Sequence, residues 1–264
     1  MMQKNPVYIV ASMLFFITAC GSLSNIHLDN IQIPNPDAYK LPSPALSQTE
    51  AASGLKEALI NGASTGTQSL QMAGGFSQND AYRILLPPEI QSLEQKIRNN
   101  ALLNAAVGKE LDKTIAAMNQ GAELAASKAF PIFKNAIQQM SFSDALKILT
   151  GGNGAATQFL KTNTSTQLTA AFQPEIKTAL ESVSLYQYWN PVVSTINKNK
   201  KILGLTADVQ PNLETYVTEK AIVAIFSEVE IQENLIRKDP IKRSSELLKK
   251  VFNYADNNNS ETKP

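Results

Sequence analysis

The chain has 264 residues, an ordinary hydrophobic share of 43% and a formal net charge of +1. That length suits one substantial domain or two small ones, and the composition excludes disorder throughout. With one cysteine and one histidine, an internal disulfide, a CxxC redox pair, a thiolate zinc cage and an HExxH motif are excluded, and neither metal nor cofactor is expected. Losing Lys4 with a leader of residues 1–19 would leave 23 basic against 23 acidic side chains, so no nucleic-acid partner is expected either.

The first segment reads as that leader. Lys4 precedes an apolar run, Val7–Ile17, of about ten residues, too short to cross a bilayer comfortably and suited to a signal peptide. The run ends in Ile17-Thr18-Ala19-Cys20. These four residues resemble the lipobox of bacterial lipoproteins, in which small residues enter the peptidase cleft and a thiol receives the diacylglycerol. The resemblance implies cleavage before Cys20, an acylated Cys20 and a bilayer as partner, since several acyl chains give stable anchorage. Gly21 follows where inner-membrane lipoproteins tend to carry aspartate, which implies the periplasmic side of the outer membrane in a diderm cell. Residues 20–46 then read as a tether, with Pro34, Pro36, Pro42 and Pro44 blocking regular helix. His27 falls within it, as a solvated residue rather than a ligand.

From Ser47 to residue 254 the pattern predicts an all-α domain, with at most a short extended pair in Ser77–Leu86. Ser47-Gln48-Thr49-Glu50 is a capping box. It opens a helix carrying Ala51, Leu55, Ala58, Leu59, Ala63 and Leu70, in which Gly62 and Gly66 permit close packing and which Gly74-Gly75 ends. Pro87-Pro88-Glu89 starts a short helix bearing Ile90, Leu93 and Ile97.

The organising stretch is Leu111–Met140. As one helix it would be about 45 Å long, with Leu111, Ile115, Met118, Ala122, Ala125, Ala129, Ile132, Phe133, Ala136, Ile137 and Met140 recurring at spacings of three and four as a buried stripe. Pro131 is expected to bend this rod between Phe130 and Ile132.

Ser141-Phe142-Ser143-Asp144 offers a second capping box, and the helix it opens stops at Gly151-Gly152-Asn153-Gly154. A short helix at Ala155–Leu160 is expected next, then a separate one capped by Thr164–Gln167 with Pro174 in its middle. The pairing of Ala129-Phe130 and Pro131 with Ala171-Phe172 and Pro174 reads more simply as a recurring helical pattern than as a duplicated unit. Leu213, Tyr216, Val217, Ala221, Ala224, Ile225 and Val229 mark a long penultimate helix broken by Asp239-Pro240. Leu247, Leu248, Val251 and Phe252 close the domain, and residues 255–264 read as a polar tail.

Several of these pieces recur together in a known family. They are Pro131-Ile132-Phe133, Asp144-Ala145-Leu146, Gly151-Gly152, Ala155-Ala156-Thr157, Trp189, Tyr216 through Ala221, and Asp239-Pro240 with Leu247 through Phe252. From roughly Leu55 to Phe252 the chain resembles the bacterial DUF4197 family, whose members are often predicted lipoproteins and whose function is unknown. Asn253 stands where the family often has glycine. The resemblance carries no catalytic residue with it.

Two places stand out as candidate ligand or partner surface. Gly151, Gly152, Asn153 and Gly154 form an irregular turn before a helix, whose free amides suit an anion. The Gly-Lys-Ser/Thr ending of a P-loop is missing. Tyr186, Tyr188 and Trp189 are the densest aromatic patch, offering apolar area with polar handles. Both also have plain readings, as a helix corner and as core packing. Glu219 and Lys220 interrupt an apolar helical face, where surface ion pairs would explain them. Three functions follow: a non-enzymatic envelope lipoprotein binding an envelope protein or an apolar or amphipathic ligand; a structural spacer; or a hydrolase or lyase using Asp, Glu, Lys and Ser alone.

Overall fold

The computed structural model describes residues 47–261, with side chains through Asn253. The leader, the lipobox with Cys20 and the Pro-rich stretch expected as a tether lie outside the described residues. Within them every regular element is helical.

Helix α1 (Gln48–Gln71) begins at the expected capping box: the Glu50 amide donates to Ser47 Oγ at 3.2 Å and the Ser47 amide to Glu50 Oε2 at 2.9 Å. Gly66 faces helix α9 (Leu213–Lys238) so closely that a Cβ there would stand 3.3 Å from the Glu228 backbone. A succession of turns follows, with Gly74 at φ +91°, as far as Tyr82, and residues 83–87 then lead to helix α2 (Pro88–Asn99) without pairing as a strand.

The central rod is two helices, α3 (Ala101–Ala126) and α4 (Ala129–Gln139), bent by ~38°. It starts earlier than Leu111 because Asn100 caps it, accepting from the Leu102 and Leu103 amides at 3.1 Å each. The break also falls earlier than expected, at Ser127 and Lys128 rather than between Phe130 and Ile132. Pro131 has no amide for the Ser127 carbonyl, and its ring crowds that same carbonyl one turn back. Ser127 and Lys128 keep near-helical angles, so the rod is bent rather than reversed.

Helix α5 (Phe142–Thr150) has the second capping box, formed by Ser141 and Asp144. The next stretch corrects the sequence reading: instead of two helices, α6 is one, Ala155–Ser182. Thr164 does not cap. Its hydroxyl donates to the Leu160 carbonyl at 2.6 Å, and Thr169 does the same to Ser165 at 2.9 Å, so a run of hydroxyl residues is satisfied inside a continuous helix. Pro174 lies within that helix, whereas Pro131 stands at the start of α4; the two prolines have different structural roles.

Helices α7 (Leu185–Lys198) and α8 (Lys200–Leu203) precede α9. A 3₁₀ turn at Pro240–Lys242 follows Asp239, and α10 (Glu246–Glu261) continues helical into the polar stretch that begins at Ala255. In the assembled core, α9 lies against α1, α6 and α3, while α3 also receives α2, α6 and α7. Phe133 of α4 and Phe226 of α9 meet with ring centroids 5.5 Å apart. The centre is thus shared between the bent rod and α9.

Candidate functional site

At the Gly151–Gly154 turn, Gly154 adopts φ +75° and α6 begins, presenting the amides expected to hold an anion. They are already occupied. Glu233 of α9, almost wholly buried, accepts from the Ala156 amide at 3.0 Å, the Thr157 amide at 2.9 Å and the Thr157 hydroxyl at 2.9 Å. Asn234 Oδ1 accepts from the Gly154 amide at 3.2 Å. Arg237, one turn beyond Glu233, pairs with it at 2.8 Å and donates to the Ile148 and Gly151 carbonyls at 2.8 and 3.2 Å. One carboxylate therefore caps the start of α6, and its partner cation caps the end of α5. The expected anion cradle is filled by the protein's own side chain.

Arg243 extends this network. It donates to the Ile236 and Arg237 carbonyls at 3.3 and 2.9 Å, satisfying the last turn of α9, and reaches Asn253 Oδ1 at 2.8 Å.

The aromatic patch is also largely committed. Trp189 is only 5% exposed. Tyr186 donates its hydroxyl to Glu214, and burial followed by that bond pushes the phenol well above its ordinary value. Lys113 Nζ sits 5.1 Å from the centre of the half-buried Tyr188 ring. These contacts knit α7 to α3 and α9. Gly151–Gly154 and Tyr186–Trp189 lie toward opposite ends of α6, a helix about 42 Å long, so the structure does not bring them together into one surface.

A cleft the sequence did not single out lies between the segment before α2 and the outer face of α9. Two buried polar residues of α3 hold that segment. Asn119 accepts from the Ile84 amide at 2.9 Å and donates to the Ile84 carbonyl at 2.8 Å, taking the place of a neighbouring strand. Glu123 accepts from the Phe76 amide at 3.2 Å and from the Ser77 amide and hydroxyl at 3.1 and 3.0 Å. Tyr82 is tied to α9 by its hydroxyl, which donates to Glu228 at 3.0 Å; burial and that carboxylate raise the phenol to about 12.

The resulting space is about 240 Å³, walled by Arg83 and Leu85 on one side and by Tyr216, Lys220, Val223 and Ser227 on the other. Neither Arg83 nor Lys220 forms an ion pair with a described residue, and Lys220 Nζ stands 5.6 Å from the Tyr216 ring centre. The surface ion pair expected for Glu219 and Lys220 is thus not formed. Ser227 shares the cleft with Lys220, but no hydrogen bond joins them.

Val223 and Ser227 also line a second cleft, of about 410 Å³, between α6 and α9. Asn153 and Gly154 stand at its rim, with Lys161, Phe226 and Glu230. Two of the expected surface residues therefore do reach a concavity, through neighbours the sequence did not indicate. Val223, 62% exposed, is the ridge between the clefts, and Ile231 and Leu235 are exposed apolar residues farther along α9, beyond Ser227.

A family model described as "Protein of unknown function (DUF4197)" matches residues 45–253. The chain belongs to this family. No curated protein and no solved structure matches it. The match covers the whole of this DUF4197 core, both clefts included. Among the described residues no group of His, Cys, Asp and Glu is arranged to hold a metal ion, and no helix is long and apolar enough to cross a membrane.

The residues the sequence reading missed carry faint local signals. Glu233 and Arg237 are one helical turn apart, as are Asn119 and Glu123 within an alanine-rich apolar stripe. Polar groups at core positions of a helix require a partner, and here both Glu233 and Asn119 find partners in a distant segment as well as one turn away.

Proposed function

We propose that this is a bacterial envelope lipoprotein whose DUF4197 domain is a non-enzymatic binding module. It takes an apolar or amphipathic ligand, or the apolar face of an envelope protein, on the outer side of α9. Cys20 carries the acyl chains that hold the domain to a bilayer, the outer membrane if the cell is diderm, and residues 20–46 give it reach. The lipobox resemblance of Ile17–Cys20 supports the anchor, and Gly21 supports the outer-membrane destination.

The observation that carries the binding role is the exposed Val223 ridge between two clefts. A binding site combines a desolvating wall with a few orienting polar groups, and here apolar side chains adjoin Arg83, Lys220, Ser227 and Lys161. A pure spacer requires neither.

Two measurements test the reading. Metabolic labelling with an alkyne fatty acid should mark the wild-type protein and not Cys20→Ser; equal label would remove the anchor. Dodecyl maltoside, a neutral amphiphile, should bind below its micelle concentration, and Val223→Glu should abolish that binding without changing the helical circular dichroism. Binding indifferent to Val223→Glu would remove the α9 surface.

A further inference from the structure

The clefts on the two sides of Val223 differ in charge. The one between α6 and α9 carries Lys161 and Glu230 together, so its charges offset one another. The one beside α2 carries Arg83 and Lys220 and has no carboxylate in its lining. Outside the lining, Glu228 accepts from the Tyr82 hydroxyl and from Gln232 at 3.1 Å, and Glu89 stands near enough to Tyr216 to help raise its phenol, after burial. Two exposed cations thus share one concavity and form no ion pair with a described residue, while Leu85, Val223 and Ala224 supply apolar wall.

From this arrangement we propose that the cleft between Ala81–Leu85 and α9 binds an amphipathic anion. Its carboxylate or phosphate head lies between Arg83 and Lys220, and its hydrocarbon lies over Leu85 and Val223. The inference rests on the binding role proposed above and narrows it to one ligand chemistry. Arg83 offers a planar fork for two oxygens and Lys220 a point charge. Ser227 adds a neutral donor beside the head, whereas the Tyr216 hydroxyl and the Gln91 amide already donate to the Leu86 carbonyl.

The wall is prepared for this. Asn119 and Glu123 are buried polar side chains, costly to place in an apolar core unless fully bonded, and their bonds go to the backbone of the segment that bears Arg83. A loop held at both ends does not have to be ordered when the ligand arrives, which preserves affinity. The volume of about 240 Å³ fits a head group and the first part of a chain rather than a whole lipid, so the remainder would pass over the exposed Val223 ridge.

The test uses the full chain carrying Cys20→Ser, so that no acyl chain of its own competes, with every variant in that background so that any uptake by residues 1–46 cancels. Dodecanoate, dodecyl phosphate, dodecyltrimethylammonium and dodecyl maltoside are titrated by calorimetry below their micelle concentrations, with inorganic phosphate alone as a further arm. The two anionic amphiphiles should bind at least about tenfold tighter than the cationic one. Arg83→Gln and Lys220→Gln should each weaken the anions about three- to tenfold and leave dodecyl maltoside unchanged. A diazirine-bearing dodecanoate should label residues 81–91 and 216–227.

Charge-blind binding of all the dodecyl compounds, still lost in Val223→Glu, would overturn the anionic preference and leave the broader binding role standing. Inorganic phosphate binding as tightly as dodecyl phosphate would overturn the hydrocarbon part. Binding by none of the amphiphiles would overturn this inference together with the reading beneath it.

Discussion

The start of α6 and the cleft beside Arg83 are both meeting places between α9 and an irregular stretch of chain, and the fold completes them in opposite ways. At α6 the free amides receive Glu233, the carboxylate receives Arg237, and Arg237 in turn satisfies the end of α5. Beside Arg83 the Phe76, Ser77 and Ile84 backbone is held by Asn119 and Glu123 from behind, yet the cations in front form no ion pair with a described residue. The first region uses charge to join helices. The second uses buried polar groups to hold a wall still and leaves its charge facing outward. Charge paired within the fold joins its elements; charge held in a concavity without an ion pair is available to a visitor.

The contrast breaks most visibly at Glu233. Glu233→Ala leaves Arg237 buried without its carboxylate and the Ala156 and Thr157 amides without an acceptor. A loss of about 3–5 kcal/mol is expected, measured by urea denaturation. A loss below about 1 kcal/mol would mean that the network is not what joins α5, α6 and α9.

Asn119→Ala comes next. It orphans the Ile84 amide and carbonyl, and a loss of about 1–3 kcal/mol follows from a buried pair left unsatisfied. Amphiphile binding should weaken with it, because the wall bearing Arg83 is no longer fixed. Stability lost with binding intact would separate the clamp from the cleft.

Glu50 gives a smaller, pH-dependent effect. Hydrogen bonds from Lys250 of α10 and then Ser47 hold its carboxyl at about 2, below the ordinary 4.5. A depressed acid contributes stability when ionised. The difference in denaturation midpoint between wild type and Glu50→Gln should therefore be full above pH 4.5 and vanish as the pH falls through about 2. A difference that persists in acid would refute the Lys250 clamp.

The smallest effect is expected at the open cleft itself. Arg83→Gln with Lys220→Gln should change stability by no more than about 0.5 kcal/mol, since no internal pairing is lost. A larger cost would show that these cations serve the fold after all. Trp189 supplies a check on the region that is closed: its emission should be blue, poorly quenched by acrylamide and unchanged by dodecanoate. A red-shifted, quenchable emission would reopen the aromatic patch as a surface.

Features decided by neighbours a turn away are legible in the amino-acid sequence. The capping boxes at Ser47 and Ser141, the apolar faces of α1, α3 and α9 and the bend associated with Pro131 all follow from bonds within a few residues. The Thr164–Gln167 stretch shows the limit of local patterns. A hydroxyl can cap a helix or bond back to the carbonyl four residues earlier, and the local sequence is the same in both cases. Only the burial of Thr164 within the packed face of α6 selects the second.

The amino-acid sequence by itself determined that the region from Ser47 is helical, where α1, α5 and α9 begin, and that cysteine- and histidine-based metal chemistry has no place in it. The reason is that helix geometry, capping and periodic burial are short-range, and composition acts without any fold. The tertiary structure alone decided which polar groups are spent and which are open. Glu233 meets Ala156 across 77 positions of sequence, and Asn119 meets Ile84 across 35. Arg83 and Lys220 come to one cleft only because α9 packs beside the clamped segment. A side chain's charge is written in the sequence, but whether that charge is neutralised depends on long-range packing.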